Sequence, residues 1–362
     1  MLIKQLFVLA SIGLAAVNAQ DFQFKETYPE PYTVPKPKAE WLNLIKNSKI
    51  TNAPPLTTTS SGALVMPNNV AEDPYCTWSF SQCLGPNDVY TCPKGSWTVS
   101  FDDGPSEYTP KLLDFLKEKN EKVTFFVVGG QVLKYPEILK RAYDEGHEIA
   151  MHSWSHKNMA TLTNEELVGE LKWTELAIKE VIGVSPRFFR PPFGNIDNRV
   201  RDIIKALGFT PVIWSVDTND WYLTEHADTF DSKWITGNVT QWVATAEGGN
   251  SLAHDLYEET VAASLDYIPV LADAFDLKTV GECNTLSSYT NGNGTAINKP
   301  EASKSSSAAP TASETSESQD DKDAAVKAQE NADQESGASS HFVASSSAAA
   351  LMVAAIAAVI AN

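Results

Sequence analysis

Short apolar runs alternate with amphipathic segments over about half of this chain. The runs have the length and composition of strands and recur five times, at residues 97–101, 123–128, 147–152, 211–216 and 277–280. Strands separated by helical segments of this length predict βαβ units and a largely parallel sheet covered on its outer side by helices. We therefore predict the α/β fold class and one domain, residues 96–285, which is large enough to bury a core.

Local start and stop signals support the helices between these runs. Thr109, followed by proline, predicts a helix start, and residues 132–143 have helical spacing. Thr163 and Glu166 form a capping-box pattern that opens a further helix, and Gly183 predicts its end.

The two flanks of this domain have a different composition. Residues 20–95 are rich in Pro, Thr, Ser and Asn, and we predict an extension that is draped on the domain or partly disordered and carries no chemistry. Residues 286–337 are rich in Ser, Ala and acids and predict a disordered stalk. Within it, residues 301–335 hold nine acids and three lysines and so carry six of the eighteen net negative charges.

Both ends of the chain predict a secretory route. Residues 1–19 have the apolar run and small-residue cleavage site of a signal peptide. Residues 338–362 end in an apolar tail that follows a small-residue site and a spacer. This is the pattern of a glycosylphosphatidylinositol (GPI) signal, and we predict that the anchor is attached at Gly337 or Ser336. A single membrane span is the alternative, but the tail is short and has no basic residue after it. We expect the lipid anchor alone to hold the protein on the outer face of the plasma membrane, with the cell wall and the medium as further locations.

Cysteines and glycosylation acceptors fit that route. The four cysteines are even in number and predict two disulfides with three possible pairings: Cys76, Cys83, Cys92 and Cys283. Because Cys283 is remote from the others, one bridge must close a long loop. A zinc knuckle is the alternative, but close Cys-x-x-Cys pairs are missing. The N-glycosylation acceptors are Asn238 and Asn293.

Two adjacent carboxylates end the first predicted strand. Asp102 and Asp103 are followed by Gly-Pro, and this tetrapeptide alone is most often a solvated turn. Successive strand residues point to opposite faces, so the two acids are predicted to have different environments and different roles. His152 and His156 follow a later strand, four residues apart, and two histidines with one carboxylate are a common metal set. Asp103 is the natural third ligand, and Asp102 is then a candidate base.

Further polar residues follow later strands. Arg190 stands before two prolines, which alone indicates only a surface arginine on a stiff connection. Asp217 and Trp221 come after the fourth predicted strand, and Trp221 fits the wall of a sugar-binding cleft better than the core. His254, after Leu252, is either a satisfied core histidine or a candidate acid.

Five motifs in this order resemble one known family. They are Ser-Phe-Asp-Asp-Gly-Pro from residue 100, His-Ser-Trp-Ser-His from 152, Arg-Pro-Pro-Phe-Gly from 190, Asp-Thr-Asn-Asp-Trp from 217 and Leu-Ala-His-Asp from 252. The set is similar to the polysaccharide deacetylase (NodB homology) family, carbohydrate esterase family 4, and its secretory layout is most like that of the fungal chitin deacetylases. The likeness covers about half of the chain.

The resemblance implies a distorted (β/α) barrel and a hydrolase that removes N-acetyl groups from N-acetylglucosamine units of chitin, giving chitosan and acetate. One divalent metal ion, Zn²⁺ or Co²⁺, would be held by Asp103, His152 and His156. Asp102 would be the general base, and His254 would protonate the leaving amine.

Supporting roles are implied in the same way. Arg190 would hold Asp102, and Asp217 would hold and charge His254, whereas Asp220 would at most support its loop. The backbone N–H of Phe193 would stabilise the oxyanion. Trp221 and Leu252 would line the cleft around the sugar ring and the acetyl methyl, and together with Phe193 they make up the implied substrate-binding residues.

Departures and alternatives accompany the resemblance. Ser100 stands where the family often has Thr, and Asn250-Ser251 interrupts a usually apolar strand, which puts the shape of the acetyl pocket in doubt. An O-acetyl xylan esterase would use the same residues, and a non-catalytic chitin-binding wall protein would typically lack one of them. The acidic balance argues against nucleic acid as a partner. The resemblance implies chitin or N-acetylglucosamine oligomers as the partners, and we expect a monomer.

Overall fold

The computed structural model describes residues 22–60, 64–66, 73–291 and 293–298. The predicted signal peptide and the GPI signal with Ser336 and Gly337 lie outside these residues, as do 40 of the 52 residues of the predicted stalk. The strands are β1 (Thr57–Thr58), β2 (Leu64–Val65), β3 (Ser96–Asp102), β4 (Thr124–Val127), β5 (Glu148–Met151), β6 (Ser185–Pro186), β7 (Phe188–Phe189), β8 (Thr210–Pro211), β9 (Val216–Asp217), β10 (Gly249–His254), β11 (Asp276–Leu277), β12 (Tyr289–Thr290) and β13 (Ala296–Ile297).

Helices connect the strands and cover the sheet. They are α1 (Ala39–Leu42), α2 (Trp78–Ser81), α3 (Thr109–Lys119), α4 (Gly129–Lys134), α5 (Pro136–Asp144), α6 (Asn164–Ile182), α7 (Asn198–Ala206), α8 (Tyr222–Glu225), α9 (Lys233–Thr245), α10 (Glu258–Ala274) and α11 (Val280–Asn284). Among the described residues, no helix is both long and apolar enough to cross a bilayer.

The main sheet is parallel throughout and curls into a distorted barrel. Its order is β8-β7-β5-β4-β3-β10-β9, with β11 also paired to β3. Strands β8 and β9 lie at opposite ends of this order, yet only residues 212–215 separate them in sequence. Five extended residue steps reach about 18 Å, whereas six strand spacings would put the edges of a flat sheet about 29 Å apart. The sheet must therefore curve, and the predicted α/β fold and distorted barrel are confirmed.

The pleat divides the core into two layers. Phe101, Phe125 and Ile149 point outward and belong to the large cluster under the helices. Phe126 and Ala150 point inward and help to fill the barrel. Inward and outward residues alternate along each strand, so the barrel interior and the helix layer are built from the same short runs.

Three predicted elements differ from those observed. The helical segment 132–143 is two helices, because Pro136 cannot donate the backbone hydrogen bond that would continue α4. The predicted strand 211–216 is split between β8 and β9. The predicted strand 277–280 keeps only its beginning, because Thr279 and Glu282 form a capping box that starts α11. The helix starting beyond Thr163 and ending at Gly183 is confirmed, with Gly183 at φ 80°.

The N-terminal segment, residues 22–50, packs on the outside of the domain. Tyr28 stacks on Trp154 at 5.7 Å between ring centroids, and Trp41 meets Trp173 edge-on at 4.9 Å. The Trp173 indole N–H also donates to the Lys36 carbonyl at 2.8 Å. These contacts dock the segment on α6 and on the loop that carries Trp154.

Two disulfides tie the described part of the chain. Cys76 pairs with Cys83, and Cys92 pairs with Cys283 across 191 residues. The predicted bridge that closes a long loop is confirmed, and the zinc-knuckle alternative is wrong.

Candidate active site

The predicted site residues lie at the carboxyl ends of the barrel strands. Asp102 ends β3, Asp217 ends β9 and His254 ends β10, while His152 directly follows β5 and Arg190 directly follows β7. The carboxyl ends of parallel strands meet at one face of a barrel, where loops can converge on a ligand.

Asp103, His152 and His156 converge on one point. Their candidate ligand atoms all lie within 4.8 Å of one another. Asp103 Oδ1 is 3.5 Å from His152 Nε2 and 3.1 Å from His156 Nε2. Asp103 Oδ1 is buried and faces both imidazole nitrogens. Two imidazole nitrogens and a carboxylate oxygen fit a divalent cation such as zinc.

The histidine tautomer also fits a metal ligand. His152 Nδ1 lies 2.8 Å from the Arg190 carbonyl oxygen, which can only accept, so Nδ1 carries the proton and Nε2 presents its lone pair to the cluster. Burial lowers the pKa of His152 to about 3, so the imidazole is neutral at neutral pH. Burial alone would raise the pKa of Asp103, but His156 and the other nearby histidines bring it well below its usual range.

Glu170 on α6 holds the loop between the two histidines. Its buried carboxylate accepts hydrogen bonds from the backbone N–H of Trp154 at 2.8 Å and of Ser155 at 2.9 Å, and from the Ser155 hydroxyl. The sequence analysis missed Glu170. The available signal was a carboxylate among apolar residues on the buried face of a predicted helix.

Asp102 and Asp103 share more of their surroundings than the pleat predicts. Asp102 Oδ2 is 3.7 Å from His152 Nε2, close to the distance of Asp103 from the same nitrogen. The expectation of separate environments is wrong, because Asp103 leaves the strand with φ 76° and its carboxylate reaches the same His152 nitrogen as that of Asp102. What distinguishes the two acids is their partners. Asp102 Oδ1 accepts from Arg190 Nη1 at 2.8 Å, and burial raises the pKa of Asp102 to about 6 against the opposing effect of Arg190.

Arg190 is fully buried and belongs to a polar network inside the barrel. It donates to the Ser100 hydroxyl at 2.7 Å and to Asn250 Oδ1 at 3.3 Å, and its guanidinium lies 4.0 Å from the Phe126 ring centroid. The Asn250 amide donates in turn to the Ile213 carbonyl at 2.7 Å. The implied contact between Arg190 and Asp102 is therefore present, and the alternative of a surface arginine is wrong. Ser100 and Asn250, which were only departures from a pattern in the sequence, are its partners.

The partner of His254 is Asp220, and the prediction of Asp217 is wrong. Asp220 Oδ1 is 2.7 Å from His254 Nδ1, and Asp220 Oδ2 accepts from the His254 backbone N–H at 2.8 Å. The turn after β9 passes through Asn219 at φ 55° and carries Asp220 to the histidine, while Asp217 accepts from the Asn219 backbone N–H. Burial lowers the pKa of His254, but Asp220 and the site carboxylates overcome it and raise the pKa to about 10. Burial raises the pKa of Asp217 to about 6.

The predicted cleft residues occupy different positions. Phe193 is 60% exposed at φ 58° and meets the His156 ring edge-on at 4.7 Å, so it stands directly beside the cluster. Trp221 is half-buried and stacks on Tyr222 at 3.8 Å. Leu252 is buried within β10. The glycosylation acceptors lie apart from this site in sequence: Asn238 is half-buried in α9 and Asn293 is exposed.

Comparisons with known proteins agree with this arrangement. The polysaccharide deacetylase family model matches residues 90–212. Chitin deacetylase 1 of Cryptococcus neoformans var. grubii is 45% identical over 201 residues, which is 51% of this chain and 43% of that protein. Chitin deacetylase 3 of Cryptococcus neoformans var. neoformans is 31% identical over 283 residues, which is 73% of this chain and 67% of that protein.

A solved structure supports the same relationship. The chitin deacetylase of Colletotrichum lindemuthianum superposes with a TM-score of 0.52 at 25% identity, covering 56% of this chain and 95% of that one. This chain matches only about half of the length of several of the curated relatives. The extent of the match to chitin deacetylase 3 and the shared fold place this chain in the polysaccharide deacetylase family.

Proposed function

We propose that this protein hydrolyses the N-acetyl groups of N-acetylglucosamine units in chitin in a metal-dependent reaction that releases acetate and leaves chitosan. The observation that carries the proposal is the convergence of Asp103, His152 and His156 beside the carboxylate of Asp102. The relatives named above are chitin deacetylases, which supports chitin as the polymer.

The residues of the chain fit two proton transfers. A divalent ion, Zn²⁺ or Co²⁺, would be held by Asp103, His152 and His156. It would supply Lewis-acid chemistry and lower the pKa of water, so that the water gives up a proton more readily as it attacks. Asp102 takes the proton of the attacking water. Because Arg190 favours the ionised carboxylate and its pKa is about 6, Asp102 is mostly a base at neutral pH.

The second transfer belongs to His254. With a pKa raised to about 10 it is protonated at neutral pH, so it can donate to the amide nitrogen as the C–N bond breaks. Water thus adds to the acetyl carbon, the amine leaves with a proton, and acetate is released. The backbone N–H of Phe193 would donate to the developing oxyanion, and the contact between the Phe193 and His156 rings puts this residue beside the cluster.

We also propose a location for this activity. The secretory signal and the GPI signal would place the domain on the outer face of the plasma membrane, as a monomer on a Ser-rich stalk, with access to cell-wall chitin. Phase separation of the protein into detergent, with and without a phosphatidylinositol-specific phospholipase, tests the anchor.

The test of the activity is acetate release. The purified protein is incubated with N-acetylglucosamine oligomers and with acetylxylan, each with Zn²⁺, with Co²⁺ and with a chelator. We expect metal-dependent acetate from the chitin oligomers. Release from acetylxylan alone would favour the xylan esterase, and release from neither, despite retained chitin binding, would favour a non-catalytic wall protein.

A further inference from the structure

A groove beside the cluster of Asp103, His152 and His156 is built partly by the N-terminal segment. It has a volume of about 560 Å³, and its walls include Asp103 and His156 together with three tyrosines, Tyr32, Tyr108 and Tyr257. This volume lies within the range of about 300–1,000 Å³ that small-ligand sites occupy. Tyr32 belongs to the flank for which the sequence predicted no chemistry.

Tyr32 is held in an unfavourable backbone conformation at this position. Its φ is 60°, in the left-handed region that side chains with a Cβ rarely adopt, and yet 51% of the residue is exposed. Contacts just before it fix the segment. The Trp154 indole N–H donates to the Glu30 carbonyl at 3.2 Å, and a Cβ added to Gly130 would lie 3.0 Å from Pro31. Tyr32 is thus a strained residue that its anchored neighbours hold at the groove, which indicates a role in binding.

An unpaired acceptor lines the same groove. Gln131 is only 6% exposed, and its Oε1 is buried without a hydrogen-bond partner among the described residues. Buried side-chain oxygens are nearly always paired, so this atom points to a donor that the groove receives from outside. Sugar hydroxyls and acetamide N–H groups are such donors, and tyrosine rings offer an apolar face with a polar tip to a sugar.

We propose that this groove is a sugar subsite, in which Tyr32 packs against a ring of the polymer next to the unit whose acetyl group reaches Asp103 and His156. Gln131 accepts a hydrogen bond from that neighbouring ring, and Tyr257, which is 46% exposed, lines the groove with Tyr32. The N-terminal segment is then part of the substrate-binding surface. The identity of the polymer rests on the proposed function, but the subsite itself can be tested by binding alone.

The test uses Tyr32→Gly in the full chain. Glycine adopts φ 60° without strain, so this variant removes the ring while keeping the backbone course, and an unchanged melting temperature verifies that it folds. Calorimetric titration with an N-acetylglucosamine pentamer is expected to show about tenfold weaker binding, the loss of roughly one aromatic contact. Tyr32→Phe keeps the ring and should bind within about twofold of the wild type.

Matched controls separate the outcomes. Leu44→Ala removes a residue that is 48% exposed on the same segment and does not line the groove, and it should bind the pentamer as the wild type does. Equal pentamer affinity of Tyr32→Gly and the wild type would overturn the subsite. If Tyr32→Gly melts early, Tyr257→Ala replaces it, with weaker binding expected and unchanged binding counting against the proposal. If Tyr32→Gly releases acetate with an unchanged KM, the subsite alone is refuted. If binding depends on Tyr32 but no acetate is released, the proposed reaction alone is refuted.

Discussion

Replacing Asp220 by Asn should remove most of the proton-donating capacity of His254. The carboxylate contacts both Nδ1 and the backbone N–H of His254, at 2.7 and 2.8 Å, and its charge is the main reason that the pKa of His254 is about 10. At that pKa nearly every molecule carries the imidazolium at pH 7. Without the Asp220 charge, and with a cation on Asp103, burial is expected to bring the pKa to about 6.5 or below, so about a quarter of the molecules or fewer remain protonated.

The expected kinetic effect combines this loss with a loss of orientation. The protonated fraction alone costs about fourfold, and removing a partner that orients a site residue typically costs about 10- to 100-fold, so we expect a fall in kcat of that larger order. The alkaline limb of the rate profile should move from about pH 10 toward pH 6–7, because the acid must now be protonated at lower pH. Acetate release measured from pH 5 to 10 gives the profile, and the NMR titration of the His254 ring gives the pKa directly.

Asp217→Asn is the matched control for Asp220→Asn. Asp217 is also an acid of this region, at the end of β9, but its oxygen accepts from the Asn219 backbone N–H, whereas the partner of the His254 ring is Asp220. We expect a profile close to that of the wild type. A larger effect of Asp217→Asn than of Asp220→Asn on the alkaline limb would refute this account of His254.

Four further predictions follow from the contacts at the site. Asp102→Asn should abolish acetate release while calorimetry still shows Zn²⁺ binding, whereas His152→Ala should lose both, and an active Asp102→Asn would mean that the base is misassigned. In the wild type, kcat/KM should fall as the pH drops below about 6, because protonation of Asp102 removes the base; a rate that stays level down to pH 4 would contradict this. Asn250→Ala leaves Arg190 with one partner fewer and should destabilise the protein by about 1–3 kcal/mol in urea unfolding, which an unchanged midpoint would contradict. Glu170→Gln weakens the hold on the histidine loop and should lower Zn²⁺ affinity by about 10- to 100-fold at an unchanged melting temperature, and wild-type affinity would reduce Glu170 to a packing role.

The parallel sheet was predictable because its signals are local. Each buried strand is a short apolar run, and each intervening helix has its own periodicity and caps, so the alternation indicates the fold class. The closure of the barrel was not predictable in this way. Residues 211–216 look like one strand, and only the paired register shows that β8 and β9 lie on opposite edges.

The same division between local and distant signals applies to the site. Asp103 directly follows one strand, and His152 and His156 come within a few residues of the end of another, so the sequence suffices to propose that the three residues meet. The choice between Asp217 and Asp220 depends on the path of a turn through a left-handed residue, which composition does not encode. No sequence pattern predicts that Tyr32 lies near Asp103 and His156. Its position results from packing of the N-terminal segment on parts of the domain that are far away in sequence.

The adjacent acids show why partners rather than strand alternation decide the chemistry. Asp102 and Asp103 both lie within 4 Å of His152 Nε2, so the pleat does not separate them. Burial opposes ionisation of both, but Arg190 compensates Asp102 only in part, whereas the histidines overcompensate Asp103. Their pKa values therefore move in opposite directions from the same starting value. One carboxylate remains able to take up a proton near neutral pH, and the other stays ionised, as a metal ligand must.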